Sequence, residues 1–336
     1  MQKLVFYWLC IVAAMILCMV SIGGVTRLTN SGLSIVEWKP ITGVIPPLSE
    51  QDWQLEFSKY QQSPEFVIKN NSMELEAFKQ IFWLEYIHRL AGRIVGLVFF
   101  IPLLIFWAKG WFDKTTKKTI GQVAILGICQ GFMGWHMVKS GLSGAPYVSH
   151  FRLTAHLLFA LSMFGLIIND ATRLYNEGIT AKIDKIWIAC ISLAVIQIAL
   201  GGLVAGLDAG LIYPTFPLMG DSFFPQELFE KALNEFLSNP GVVQFLHRIC
   251  AYILAGLVFY LSMKLLDKGH HNISKALALV IFIQFLLGIG TLLMHVPVSL
   301  AALHQLFGFV LFGIIIVASR VSIKSRAIQR HSKISA

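Results

Sequence analysis

Charge is scarce in this 336-residue chain: 13% of residues are Asp, Glu, Lys or Arg, against 56% apolar, with mean hydropathy +0.69. Soluble domains carry about 25% charge, so no large soluble domain has room to exist. Cysteine is scarce too. Cys10, Cys18, Cys129, Cys190 and Cys250 all lie in apolar stretches, at no metal-ligand spacing. The long polar segments contain none, which excludes a disulfide framework there and leaves buried thiols. The first apolar run lacks the polar, small-residue cleavage region of a signal peptide. Gly23-Gly24 leads into a patterned loop, so the run reads as a retained helix.

The net charge of +9 is unevenly spread, which argues against nucleic acid as a partner. Lys109, Lys114, Lys117 and Lys118 stand against Asp113, and Lys264, Lys268 and Lys275 against Asp267; the tail has Arg320, Lys324, Arg326, Arg330 and Lys333 with no acid. Segment 206–241 instead has five acids and one Lys, and segment 24–83 seven acids and five bases. Eight apolar runs of the length that spans a bilayer, about 20 residues, lie near 4–23, 84–107, 119–138, 150–169, 185–206, 242–263, 274–294 and 298–319. The expected fold is an all-α polytopic membrane protein with eight transmembrane helices. The positive-inside rule puts both termini in the cytoplasm and the two long segments outside.

The two halves answer each other. Gly23-Gly24-Val25-Thr26-Arg27-Leu28 aligns without a gap on Gly201-Gly202-Leu203-Val204-Ala205-Gly206, and the match runs on to Leu33 and Leu211. Spans two and six share His88-Arg89 and His247-Arg248. Spans three and seven share Gln130-x-x-x-Gly134 and Gln284-x-x-x-Gly288, echoed by Gln197-x-x-x-Gly201. Spans four and eight share His156 and His304. Four matches in one order imply two pseudo-symmetric four-helix bundles, 1–170 and 171–336, as a parallel internal repeat. Outer segment 24–83 should carry an amphipathic helix near 73–83, and 206–241 one near 225–237. Aromatics and prolines in both suggest folded caps.

Ionisable groups at membrane depth mark functional sites by default. His88, His156, His247 and His304 all enter from the outer side, two per half at similar depth. Neutral imidazoles facing across a bundle suit bis-axial haem ligation. Four residues on from each stands a small residue, Gly92, Ala160, Ala251 or Gly308, with room for a flat ring on the same helix face; helix packing is the competing use of such residues. Arg89 and Arg248 follow two of the histidines, and Arg152 lies one turn outward of His156. Guanidinium groups bind carboxylates bidentately, so haem propionates are natural partners, with Arg93 and Arg27 further candidates. Ion pairing or snorkelling to the interface is their alternative use. His136 and His295, near outer span ends, and His150, at the start of span four, read as interfacial.

Glu85 is the sharpest residue. Three positions before His88 it shares that histidine's face, and a carboxylate there can exchange protons with substrate or water. Its counterpart Gln244 can hold a hydrogen bond but cannot do acid-base work. The asymmetry implies that the first half reacts and the second stores or passes electrons.

These residues resemble the haem A synthase family, Cox15/CtaA. The resemblance covers nearly the whole chain, through Gly23-Gly24-Val25-Thr26-Arg27-Leu28-Thr29-x-Ser31-Gly32-Leu33-Ser34, Glu85-x-x-His88-Arg89, Gly134-Trp135-x-Met137-Val138-x-Ser140-Gly141-Leu142, Thr215-Phe216-Pro217-Leu218-Met219 and His247-Arg248. The long first outer loop and the Gly141-Leu142 region are similar to the proteobacterial and mitochondrial subtype. The resemblance implies oxidation of the C8 methyl of haem O to a formyl group by successive water-derived hydroxylations, giving haem A for cytochrome oxidase. It implies that His88 and His156 bind the substrate haem, that His247 and His304 hold haem b, and that Glu85 is the catalytic acid-base residue. Some bacterial members carry a cysteine pair in the first outer loop. This chain has none, so no thiol role carries over.

Two other classes fit the histidines alone: a quinol-linked di-haem b electron-transfer protein, and a transporter with histidine proton relays. Expected partners are haem O and haem A, the farnesyltransferase that makes haem O, an electron acceptor that the sequence leaves open, and further copies of the chain.

Overall fold

The computed structural model describes residues 1–39, 42–143, 147–176, 183–230 and 233–334. Eleven α-helices follow in order: α1 Gln2–Leu28, α2 Glu50–Gln61, α3 Pro64–Lys69, α4 Leu75–Ala108, α5 Lys114–Leu142, α6 His150–Tyr175, α7 Lys185–Gly206, α8 Glu227–Glu230, α9 Pro240–Asp267, α10 His271–Leu293 and α11 Val298–Ile334. Short 3-10 turns lie at Thr42–Val44, Ala209–Leu211 and Leu233–Ser238. No strand forms among the described residues beyond one isolated bridge, Met219 to Ser222.

Each of the eight apolar runs lies in a helix, and seven of these helices are long and apolar enough to cross a membrane. The run at 119–138 falls in α5, which has the length, 29 residues, but is not among the seven. Its glycines, two glutamines and His136 dilute the apolar content, so the expected count of eight is met in helices but not in hydropathy.

Local sequence explains the boundaries. Ser49 and Asp52 close a capping box on α2, Ser63 caps α3 with Pro64 in its first turn, and Asp113 and Asn239 accept the first-turn N–H groups of α5 and α9. The expected separate helix near 73–83 does not exist as such. Nothing between Leu75 and Ile101 breaks the backbone ladder, so it runs into the second apolar run as one 34-residue helix of about 51 Å. That exceeds the roughly 30 Å apolar core of a bilayer. Trp53, Phe57, Tyr60, Phe78, Phe82 and Tyr86 bury together, binding α2 and the start of α4 into a folded cap. The helix expected near 225–237 appears as α8 and a 3-10 turn, with residues 231–232 outside the described set.

The four N-terminal long helices pack as α4 on α1, α1 on α6 and α6 on α5. The four C-terminal ones pack as α9 on α7, α9 on α10, α10 on α11 and α11 on α7. The two sets meet where α6 crosses α11, with α1 against α11 and α6 against α7. The crossing is reciprocal: a Cβ on Gly165 would meet Phe312 at 2.9 Å, and one on Gly313 would meet Phe164 at 3.1 Å. At the basic end of the bundle Arg173, 5% exposed, binds Asp170 (2.8 Å), Asp113 (2.8 Å) and Thr116 (2.8 Å), while Arg320 donates to Asn169 (2.8 Å). That network ties α5, α6 and α11 together, leaving the opposite end free for the histidines.

Candidate functional site

Each of the four histidines lies against a glycine on a neighbouring helix. A Cβ on Gly23 of α1 would stand 3.3 Å from His88 of α4, and one on Gly134 of α5 would stand 3.5 Å from His156 of α6. In the other set, Gly201 of α7 would meet His247 of α9 at 3.3 Å, and Gly288 of α10 would meet His304 of α11 at 2.9 Å. The small residues four positions after the histidines add to this clearance at two places: a Cβ on Gly92 would meet only Met19, at 3.7 Å, and one on Gly308 only Gln284, at 3.4 Å, while Ala160 lies in the apolar core. Clearance beside a helical side chain is controlled by the facing helix, because its own turns point along the axis.

The glutamine four residues before three of these glycines shares its face. Gln130 Nε2 lies 3.2 Å from His156 Nε2 and Gln197 Nε2 3.2 Å from His247 Nδ1, while Gln284 Nε2 would lie 3.4 Å from a Cβ on Gly308. The fourth position, before Gly23, is Met19. Sequence reasoning saw the Gln-x-x-x-Gly repeat but not that it addresses the histidines.

The residues fit a haem. His247 and His304 face each other with ring centroids 6.4 Å apart. Metal–imidazole bonds of about 2 Å, added to ring radii of about 1 Å, place two trans imidazoles with centroids about 6 Å apart. His156 Nδ1 and His304 Nδ1 are buried without a hydrogen-bond partner, as are the Oε1 atoms of Gln130, Gln197 and Gln284. Unsatisfied buried polar atoms cost about 1–3 kcal/mol each, and their clustering around three of the four imidazoles suits a site completed by a ligand.

Glu85 is 2% exposed and accepts four hydrogen bonds. Ser34 Oγ (2.7 Å) and the Ile35 N–H (2.8 Å) donate to Oε2, while Arg89 donates to Oε1 from Nε (2.9 Å) and from Nη2. Arg89 also reaches the carbonyls of Ile35 (2.8 Å) and Glu37 (3.1 Å), with Trp38 over its guanidinium at 5.4 Å. The pair clips outer segment 31–38 onto α4. In the second set Arg248 donates to the carbonyls of Tyr213 (2.8 Å) and Leu218 (3.2 Å), and Gln244 Nε2 donates to Tyr213 (3.2 Å). Gln244 Oε1 and Arg248 Nε are buried without partners.

The arginines therefore differ in what they have left to offer. Arg89 is spent on Glu85 and two carbonyls, Arg248 keeps one buried donor, and Arg27 holds Asp208 (2.9 Å) and the Ala205 carbonyl. Arg93 donates to the Lys39 carbonyl at 2.9 Å. Arg152, half-buried, has no side-chain hydrogen bond or ion pair among the described residues. His136 stacks on Phe132, His150 lies 3.4 Å from Ser238 Oγ, and His295 sits in the short α10–α11 turn; none joins the four.

In the outer cap, Glu65 is 3% exposed beside Tyr60 (3.2 Å), and burial pushes its carboxyl up to about 7. Burial also raises the Tyr60 phenol.

Residues 6–316 match the COX15-CtaA family, described as Cytochrome oxidase assembly protein. A Neorickettsia sennetsu protein named Heme A synthase is 44% identical over 317 residues, covering 94% of this chain and 98% of that one. One from Rickettsia bellii is 43% identical over 94% of this chain and 97% of its own. A third, from Nitrosospira multiformis, is 45% identical over 93% of this chain and 91% of its own. Both carry the same name.

Proposed function

The chain belongs to the COX15-CtaA family of cytochrome oxidase assembly proteins, and we propose that its two histidine pairs divide the labour of haem A synthesis. Haem O is the substrate and haem A the product. His88 and His156 hold the substrate iron in the N-terminal half, 1–170. His247 and His304 hold haem b in the C-terminal half, 171–336, where it supplies one-electron redox chemistry. The four His–Gly pairs and the reciprocal Gly165–Phe312 and Gly313–Phe164 contacts support two four-helix bundles in parallel repeat. On this reading α5 is the eighth membrane span, its partner being α10. Both termini then face the cytoplasm and the haem sites face the periplasm of a bacterial inner membrane, in keeping with the basic loops.

Oxidation of a methyl to a formyl group takes one water and releases four electrons and four protons. The observation that carries the reading is that a carboxylate stands at position 85 and an amide at 244. Glu85 lies one turn from His88 on the same face and is the group that receives protons from the reacting carbon or its water. A carboxylate has about four lone-pair sites, and Ser34, Ile35 and Arg89 fill them, so proton acceptance requires one donor to let go. The Ser34 hydroxyl is the one that can rotate away or relay a proton. Arg152, one turn from His156 on α6 and without a side-chain hydrogen bond or ion pair among the described residues, is the best-placed cation for a propionate, and Arg248 keeps its Nε for one in the second half; Arg89 is left to orient Glu85.

Haem analysis of protein purified with and without a haem O supply tests this. Haem b alone without the supply, and haem b with haem O or haem A when it is present, is the expected result. Haem b in both halves with no haem A under any supply means a di-haem electron carrier, and no haem at all means a transporter; neither is favoured. The acceptor of the electrons, a complex with the haem O-forming farnesyltransferase and a homo-oligomer complete the proposal.

A further inference from the structure

The packing of the two sets differs at a single seam. Each contact of α7, α9, α10 and α11 has a counterpart among α1, α4, α5 and α6 except one: α9 packs along α10, but among the described residues α4 does not pack along α5. The second seam is filled by aromatics. Phe216 from the outer loop, Tyr252 of α9 and Phe285 of α10 touch pairwise, with centroids 6.5, 6.3 and 5.7 Å apart.

The shared motifs give the counterparts in the first set. Tyr252 stands five residues after His247, as Arg93 does after His88; Phe285 follows Gln284, as Gly131 follows Gln130. Phe216 stands three residues after the carbonyl held by Arg248, as Trp38 does after the carbonyl held by Arg89. The trio is thus replaced by Trp38, Arg93 and Gly131. Gly131 is exposed, and a Cβ there would meet nothing within 4 Å. Trp38 turns onto Arg89 instead and lines a cleft of about 290 Å³ with Val36, Trp135, Val138, Lys139 and Leu142. The helix that borders this seam also serves the first histidine pair, since Gln130 of α5 is hydrogen-bonded to His156.

We propose that the α4–α5 seam is the lateral passage by which haem O reaches the first site from the bilayer and haem A returns to it, and that the Phe216–Tyr252–Phe285 clasp keeps the second haem resident. This rests on the division of labour above. A substrate must come and go at every turnover, whereas a redox cofactor must stay. A large amphiphilic ring carried in lipid needs a side opening, and the cap and segment 34–38 are held onto α4 beside this one by the aromatic cluster and Arg89.

The test uses full-length protein in lipid nanodiscs, made without a haem O supply. Phosphatidylcholine vesicles carrying haem O serve as donor, and excess apomyoglobin as acceptor for released haem b. Gly131→Phe, which supplies the missing clasp residue, should slow haem O uptake about tenfold or more with haem b content unchanged, while Gly131→Ala behaves as wild type. Phe285→Ala should release haem b to apomyoglobin about tenfold faster without slowing haem O uptake. Wild-type uptake in Gly131→Phe, or undiminished haem b retention in Phe285→Ala, overturns the proposal. If Gly131→Phe loses haem b as well, its fold has failed and Phe285→Ala decides alone. Wild-type protein without haem b under these conditions sinks the division of labour itself, and the passage with it.

Discussion

Arg89 and Arg248 perform the same mechanical task at two places, each gripping carbonyls of the outer segment that follows an aligned helix. The residue four positions before each does not. Glu85 accepts from Ser34, Ile35 and Arg89 and has no lone pair to spare; Gln244 donates to Tyr213 and leaves Oε1 unused. The difference teaches that two matching clips can share their mechanics and differ in their proton chemistry. The clip survives because the arginine carries it, so the neighbouring position is free to hold an acid in one half and an amide in the other. The seams diverge in the same direction, open beside the acid and closed beside the amide.

The comparison breaks most completely at the ligands. His247→Ala should lose haem b and all haem A formation, whereas His88→Ala should lose activity yet keep haem b; pyridine haemochrome spectra separate them, and equal loss of both haems from either variant counts against two sites. Next in size is the acid. Glu85→Gln should lower haem A formation about 10²–10⁴-fold with both haems bound, and normal turnover would remove Glu85 from the chemistry. The reciprocal Gln244→Glu should create no second activity, since its new oxygen would face the Tyr213 carbonyl and repel it.

The glycines give a graded set. Gly288→Ala puts a Cβ 2.9 Å from His304 and should weaken haem b binding by about 1–3 kcal/mol. Gly201→Ala, at 3.3 Å, should cost less, and Gly134→Ala, at 3.5 Å, least at the first site. Haem titration of each variant reads the order; a reversed one means that these glycines serve packing alone.

The smallest effect concerns the outer caps. Burial raises the Glu65 carboxyl in the folded cap to about 7, from its ordinary value of 4.5. The folded state therefore holds the proton more tightly. This contribution to cap stability is full below about 4.5, declines as pH rises, and is gone above about 7. Hydrogen exchange in α2 and α3 should quicken across that range, and Glu65→Gln should flatten the response. Exchange in segment 206–241, which is remote in sequence from Glu65, serves as the reference once corrected for the intrinsic rate.

Much of the site was legible in the sequence because membrane helices make polar residues conspicuous. The four histidines, the Glu85–Gln244 contrast and the Gln-x-x-x-Gly motifs stand out against apolar runs at recognisable spacing. The glycines' partners did not, since the residue facing a histidine belongs to another helix whose rotation no single helix records. The one-piece α4 was hidden as well: its outer turns are polar enough to look like a separate amphipathic helix, and only the aromatic cluster with α2 explains why they stay helical.

The sequence by itself determined the helical membrane fold, the family, the four histidines and which half carries the acid, because apolar length, motif spacing and residue type are properties of the chain alone. The tertiary structure alone decided that Glu85 is held by four donors, that Arg152 makes no side-chain hydrogen bond or ion pair among the described residues, and that α9 packs along α10 where α4 does not pack along α5. Those depend on which helix faces meet and what fills the space between them. Packing sets that: Phe285 has its meaning from Tyr252 across the seam, and Gly131 from the open space beside it.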